Sequence, residues 1–217
     1  MDYGVIDTTY RSRITLLNML ERSGYNVEPF RRFGPQEIEE MIGPNAVGEA
    51  LRMDLERASG DGPAKCVVFY RFQRQKQKIP TLMNELLGED VPEQLRVDPN
   101  TTEVIVILYE PVVDTFHAAA LNQWKKNKLR IRFFEARKII IDPSSFAIVP
   151  KHEKLSMEET KALRKEYYLQ SDANHNWIRF HEDPQARWLG LVPGDVVKIT
   201  RPSPSSGEYI VYRVCVS

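Results

Sequence analysis

The chain has little cysteine, no excess of either charge and no long apolar run. Each shortage narrows what it can be. Two of the 217 residues are cysteine, Cys66 and Cys215, and they form no C-x-x-C pair. That removes the cysteine-type zinc signature and the disulfide scaffold. Both stand in apolar, strand-like runs, which reads as buried free thiols in a reducing compartment. Lys and Arg number 30, as do Asp and Glu, so the formal net charge is zero. A free-standing, salt-driven nucleic-acid binder carries a basic excess. Contact with DNA would therefore come from a local patch on something held in place by other means. The apolar stretch 104–109 is far short of the ~20 residues of a membrane helix. Residues 1–10 carry acids and no apolar signal core, so no signal peptide is expected, and with no span of membrane length no membrane partner is expected either.

Catalytic signatures are also missing. The chain has no G-x-G-x-x-G, G-x-x-x-x-G-K-[ST] or G-x-S-x-G, so phosphate-cradling loops and the nucleophile elbow are not expected. The four histidines, His117, His152, His175 and His181, lack H-E-x-x-H spacing. His175 and His181 are conceivable as a metal pair, but surface or capping roles are the simpler account. A Cys–His nucleophile carries little weight, because thiols in buried runs are inert. A metal nuclease wants E-x-K or D-x-K on a strand. The chain's one such tripeptide, Glu159-Thr160-Lys161, falls in a helix where the Glu is already accounted for as a cap. No cofactor, metal or small-molecule substrate is expected.

What is present is an ordinary globular mix, 42% hydrophobic and 28% charged. Tyr10, Ile14, Leu17 and Leu20 recur at helical spacing, with Arg11, Arg13 and Arg22 off that face. Gly24 is a natural stop, and a short helix follows Gly34-Pro35. Residues 47–58 fit a helix through Val47, Leu51 and Leu55, or a strand through Leu51, Met53 and Leu55. A hairpin across the 59–62 turn onto the strand 66–70 is the reading adopted. Then come a helix with Ile79, Leu82, Met83, Leu86 and Leu87, and an apolar strand over 104–109. A helix capped by Asp114 and carrying Ala118, Leu121 and Trp124 follows, then a strand with Ile131, Phe133 and Phe134. That rhythm predicts a small, largely parallel sheet covered by helices.

Composition shifts around 142–145, which divides the chain into 1–143 and 144–217. Ser156-Met157-Glu158-Glu159 has capping-box spacing for a helix running to about Tyr168. The last thirty or so residues read as β. Val196, Val197 and Ile199 follow the Pro193-Gly194-Asp195 turn, and Ile210, Tyr212 and Val214 share one face. Between them, 201–207 reads as a loop. The fold class expected is α+β: a small helix-covered α/β domain, then a small β-rich module with one capped helix.

Two basic clusters stand out. Arg71, Arg74, Lys76 and Lys78 follow the 66–70 strand, where ligands of parallel sheets gather. Phosphate contact and a plain solvated surface are both open there. Lys125, Lys126, Lys128, Arg130 and Arg132 follow a helix end, which suits cations.

From Val149 the sequence becomes specific. Val149-Pro150-Lys151-His152 leads to an acid at Glu158. Asp183-Pro184-Gln185-Ala186-Arg187-Trp188-Leu189-Gly190-Leu191-Val192-Pro193-Gly194-Asp195-Val196-Val197-Lys198-Ile199 follows, then Arg201-Pro202-Ser203 and 207–214. This stretch resembles the C-terminal module of the fifth common subunit of eukaryotic DNA-directed RNA polymerases, whose archaeal counterpart is that module alone. Residues 13–25 resemble the first helix of the eukaryotic form. Phe146, 174–178 and 111–118 depart from the family's pattern. They suggest a divergent member, of the kind a large DNA virus with its own polymerase would encode.

The resemblance implies a non-catalytic subunit whose C-terminal assembly module anchors to the largest subunit. The N-terminal domain would form part of the lower jaw beside downstream duplex DNA. It would work in the nucleus if cellular, or in a viral factory or virion if virus-encoded. Expected partners are the largest and other polymerase subunits, with DNA contact indirect or weak. Expected interface residues are Pro150, His152, Trp188, Gly194, Arg201, Tyr212 and Arg213. Trp188 and Tyr212 suit either an interface anchor or the core of a small module. His152 reads as a structural hydrogen-bonder more than a switch. Lys76, Lys78, Thr115 and His117 are the DNA-facing candidates, placed on loops at one edge of the sheet. The competing readings are a stand-alone protein–protein adaptor using the same module, and a metal-dependent nuclease on the N-terminal sheet.

Overall fold

In the computed structural model, residues 3–43, 49–87, 97–168 and 176–217 are described. Val47, Asn174, His175 and the side chains of Leu86 and Leu87 lie outside them. The chain forms two compact units, Met1–Asp142 and Pro143–Ser217, and the class is α+β as expected.

The first unit opens with helix α1 (Tyr3–Arg22). Tyr25 N donates to Leu20 O and Gly24 N to Glu21 O, at 3.0 and 2.9 Å. These are the two bonds of a Schellman ending, with Gly24 left-handed at φ +88°. Helix α2 (Pro35–Ile42) starts on a proline, and Gly34 N donates to the Glu37 carboxylate. Strands β1 (Met53–Glu56) and β2 (Lys65–Arg71) form the expected antiparallel hairpin. Helix α3 (Ile79–Leu87), β3 (Thr102–Leu108), α4 (Asp114–Asn127) and β4 (Arg130–Glu135) follow. The sheet order is β1-β2-β3-β4, with β2, β3 and β4 parallel. Every residue of β3 is buried, which is why it reads as one continuous apolar run.

The sheet separates α1 from α4. Tyr109, just past β3, meets α1 through a 2.5 Å contact between its hydroxyl and Thr9 Oγ1. Phe133 faces the other way and packs on Phe116 of α4, ring centroids 5.1 Å apart.

Three helix details differ from the sequence reading. The inward face of α1 carries Ile6, Thr9, Arg13, Leu16, Leu17 and Leu20, whereas Ile14 is exposed. Arg13 is buried because it is served there. Its guanidinium donates to Leu51 O at 3.3 Å and lies over the rings of Phe30 and Phe33. In α4 the N-cap is Val113, and Asp114 is the first helical residue. There its carboxylate sits at the positive end of the helix dipole instead of capping. The buried side chains of α4 are Phe116 and Ala120, while Ala118 is exposed.

The second unit holds β5 (Lys151–Lys154), α5 (Met157–Glu166), β6 (Asn176–Arg179), α6 (Pro184–Leu189), β7 (Val196–Ser203) and β8 (Gly207–Val216). Its sheet runs β5-β7-β8-β6. The capping box forms as read: Glu159 N donates to Ser156 Oγ and Ser156 N to the Glu159 carboxylate, at 3.2 and 2.8 Å. The helix stops at Glu166, short of Tyr168. Asp183 caps α6 by accepting from Gln185 N and Ala186 N.

Arg201, Pro202 and Ser203 belong to β7, so the loop between the last strands is only 204–206. Pro202 is tolerated because the β5 ladder ends at Thr200, so β5 does not need its missing N–H. Val192 O accepts from Asp195 N at 2.9 Å with Gly194 at φ +99°. That is a type II turn, which requires the glycine. Asp195 secures it by accepting from Val192 N at 2.8 Å and Lys154 Nζ at 2.7 Å.

Candidate functional site

Strand register sorts the expected interface residues by face. His152 pairs with Ile199, Arg201 with Tyr209 and Arg213 with Val197. Alternation along β7 puts all three on one face of the sheet. Tyr212 is on the other face, with Lys198 as its pair. There it packs beside Leu155 on the cluster of Leu163, Val196 and Val214, and its ring lies 6.2 Å from Tyr167. That enclosure, with Tyr167 and Glu166 nearby, raises the Tyr212 phenol above its ordinary value. Trp188 is buried, 4% exposed. Gly194 is in the type II turn. Pro150 precedes β5, and its carbonyl meets His152 Nδ1 at 2.6 Å.

The second unit also shows apolar surface that sequence reasoning missed. Eight of the eleven exposed large hydrophobic residues among those described fall in it. Ile148, Met157, Tyr168, Trp177, Tyr209 and Ile210 are among them. A module folding for itself has no reason to concentrate such groups on its surface. Trp177 pairs with Val214, so it shares a sheet face with Ile210 and Tyr212. Alternation correctly gave that face. It did not show that burial fades along β8, from Val214 at 1% exposed to Ile210 at 42%.

In the first unit, the carboxyl ends of the parallel strands carry the DNA-facing candidates. Lys76 and Lys78 are exposed on the turn between β2 and α3. Thr115 and His117 are not on a loop but in the first turn of α4, because the helix starts at Asp114. Thr115 is exposed and His117 half-buried. Arg74, Lys76 and Lys78 line a cleft of about 630 Å³ with Gln73, Gln77, Glu110 and Pro111.

At the opposite end of the strands, Lys128 and Arg130 lie over the Trp124 ring, 5.3 and 5.8 Å from its centre. Arg132 does not belong to that exposed cluster. It is buried and paired with Glu103 at 3.0 Å.

Neither thiol is available for chemistry. Burial pushes Cys66 well above its ordinary pKa and Cys215 up to about 12. Glu159 is occupied as a cap, and its bonds from Ser156 hold its carboxyl below the usual range. Among the described residues, no three His, Cys, Asp or Glu side chains gather as a metal site. His181 is buried and not on the surface as read, and His175 lies outside the described residues. No described helix is long and apolar enough to cross a membrane.

Comparison with known proteins bears on the module directly. The family model described as RNA polymerase Rpb5, C-terminal domain, matches residues 141–215. The DNA-directed RNA polymerase subunit Rpo5 of Sulfurisphaera tokodaii is 49% identical over 80 residues, which cover 37% of this chain and 93% of that one. The subunit rpabc1 of DNA-directed RNA polymerases I, II and III from Dictyostelium discoideum is 30% identical over 119 residues, 55% of this chain and 59% of that one. The RPABC1 subunit of Caenorhabditis briggsae is 28% identical over 212 residues, 95% of each chain.

Proposed function

Because the chain belongs to the Rpb5/Rpo5 family of DNA-directed RNA polymerase subunits, as a divergent member, we propose that it is a non-catalytic structural subunit of a multisubunit RNA polymerase. Its C-terminal unit anchors to the largest subunit, and its N-terminal unit forms part of the lower jaw near downstream DNA. One observation carries the reading. An 80-residue match spans 93% of an archaeal polymerase subunit, a length close to that of Pro143–Ser217 alone. The module thus has a relative that is a polymerase subunit with little else attached.

The exposed apolar groups of this unit suit burial against a larger protein. Arg201 and Arg213 offer forked donors to carboxylates or carbonyls, and Tyr212 offers a half-buried ring. Pro150, His152 and Gly194 shape the backbone beneath them, and Trp188 supports it from the core. At the jaw, Lys76, Lys78, Thr115 and His117 stand past the carboxyl ends of β2 and β3, where positive charge contacts phosphate without reading sequence. The protein works where its polymerase works: the nucleus if cellular, the viral factory or virion if virus-encoded.

Purification through a tag on the full chain tests this. The two largest polymerase subunits are expected in stoichiometric yield. A chain recovered without them is an adaptor, and the reading fails. Cleavage of plasmid DNA by the isolated protein with a divalent metal would also overturn it.

A further inference from the structure

We propose that Glu110 is a positioning residue that holds the basic loop at the jaw edge in its phosphate-facing form. The inference rests on the proposed role of Lys76 and Lys78. Glu110 stands just past β3, half-buried, where the strand leaves the sheet. Its Oε1 accepts from the backbone N–H groups of both Gln75 and Lys76, the second at 3.0 Å. Those amides lie in the turn between β2 and α3, 35 and 34 residues earlier. One carboxylate therefore ties the exit of β3 to the exit of β2.

The rest of the loop is closed from within. Lys78 N donates to Gln75 O at 2.7 Å, and Leu82 N donates to Lys78 O at 2.8 Å to begin α3. Gln75 is buried, 8% exposed. Lys76 and Lys78 point into water from a backbone fixed on both sides.

Among the described residues, Glu110 is the one acid lining a cleft that also holds Arg74, Lys76 and Lys78. Left free, it would oppose a phosphate and pair with a lysine. Bonded to two amides, the carboxylate keeps its charge but is turned onto backbone N–H groups instead of onto a lysine. Holding the loop beforehand lowers the ordering cost when a phosphate arrives.

This predicts opposite signs from a simple charge effect. With Glu110→Ala, amide exchange at Gln75 and Lys76 in the full chain should speed at least tenfold. In polymerase assembled with that variant, the slope of DNA retention against salt should shrink towards that of the Lys76→Ala, Lys78→Ala variant. Glu110→Gln keeps an acceptor at Oε1 without the charge. It should preserve amide protection and hold DNA as well as or better than the parent. If Ala and Gln both tighten DNA binding, Glu110 is only a charge and the proposal is wrong. It is equally wrong if exchange at both amides is unchanged in the Ala variant. An unaltered salt slope in the double-lysine variant would sink the DNA reading by itself, while the exchange result decides separately whether Glu110 holds the loop.

Discussion

Arg132 Nη2 of β4 lies 3.0 Å from Glu103 Oε1 of β3, and the two side chains are only 6% and 5% exposed. They are on the α1 side of the first sheet, in a core that is mostly apolar or aromatic. Tyr25 borders Glu103, and burial with that carboxylate pushes its phenol far above the ordinary range. Removing one partner leaves the other charge buried without its counter-ion. Arg132→Ala should therefore cost about 3–5 kcal/mol, read from urea unfolding. Replacing both, as Glu103→Leu with Arg132→Met, should return most of that loss. A double variant as unstable as the single one would show that the pair is not the cause.

Gly24 serves two needs at once. Its left-handed φ of +88° closes α1, and a Cβ there would sit 1.9 Å from Ser59 O. Its own carbonyl accepts from Ala58 N and Ser59 N. Gly24→Ala should cost about 1–2 kcal/mol from conformation alone, and more from the clash with backbone. Thermal unfolding of the full chain checks it, with Gly43→Ala as a comparison, because no described residue comes within 4 Å of a Cβ at Gly43.

Alkaline pH should unfold the protein through its buried weak acids. Burial raises Cys215 from 9.0 to about 12. Burial also raises Tyr109 from 10.0 to about 12. In both cases the folded state keeps its proton while the unfolded chain loses it. Stability is full below about pH 9 and falls as pH rises through the folded values near 12. A urea midpoint flat from about pH 7 to 8.5 and declining above about 9.5 is the expected result. Cys215→Ala should make the decline shallower, with Cys66, the other buried thiol raised from 9.0, left to set its onset.

The apolar edge of the second unit can be tested apart from its core. Trp177→Ser with Ile210→Ser alters residues that are 61% and 42% exposed, so circular dichroism should not change. Recovery of the large polymerase subunits through the tagged chain should fall at least tenfold, since exposed aromatic anchors carry a large share of binding energy. Normal recovery would place the docking contact elsewhere on the module.

Much of this protein is set by residues close together in the chain. The Schellman ending at Gly24, the Ser156–Glu159 box and the Pro193-Gly194 turn each depend on a few neighbours, so their sequence signals are complete. The apolar run of β3 is legible for the same reason, because a strand covered on both faces needs no alternation. The family motifs of the second unit are likewise written in order along the chain.

Long-range pairing settled the rest. Helical spacing put Ile14 inside and Arg13 outside, but Arg13 is buried because Leu51, Phe30 and Phe33 come to meet it. Arg132 read as one more exposed cation until Glu103, 29 residues earlier, proved to be its partner. Glu110 gave no signal at all, since its ligands are amides on another loop. Burying a charge depends on what the fold carries to it, and only the assembled chain supplies that. The exposure of Trp177 and Ile210 has the same origin, because strand periodicity names a face while tertiary packing decides how far that face is covered.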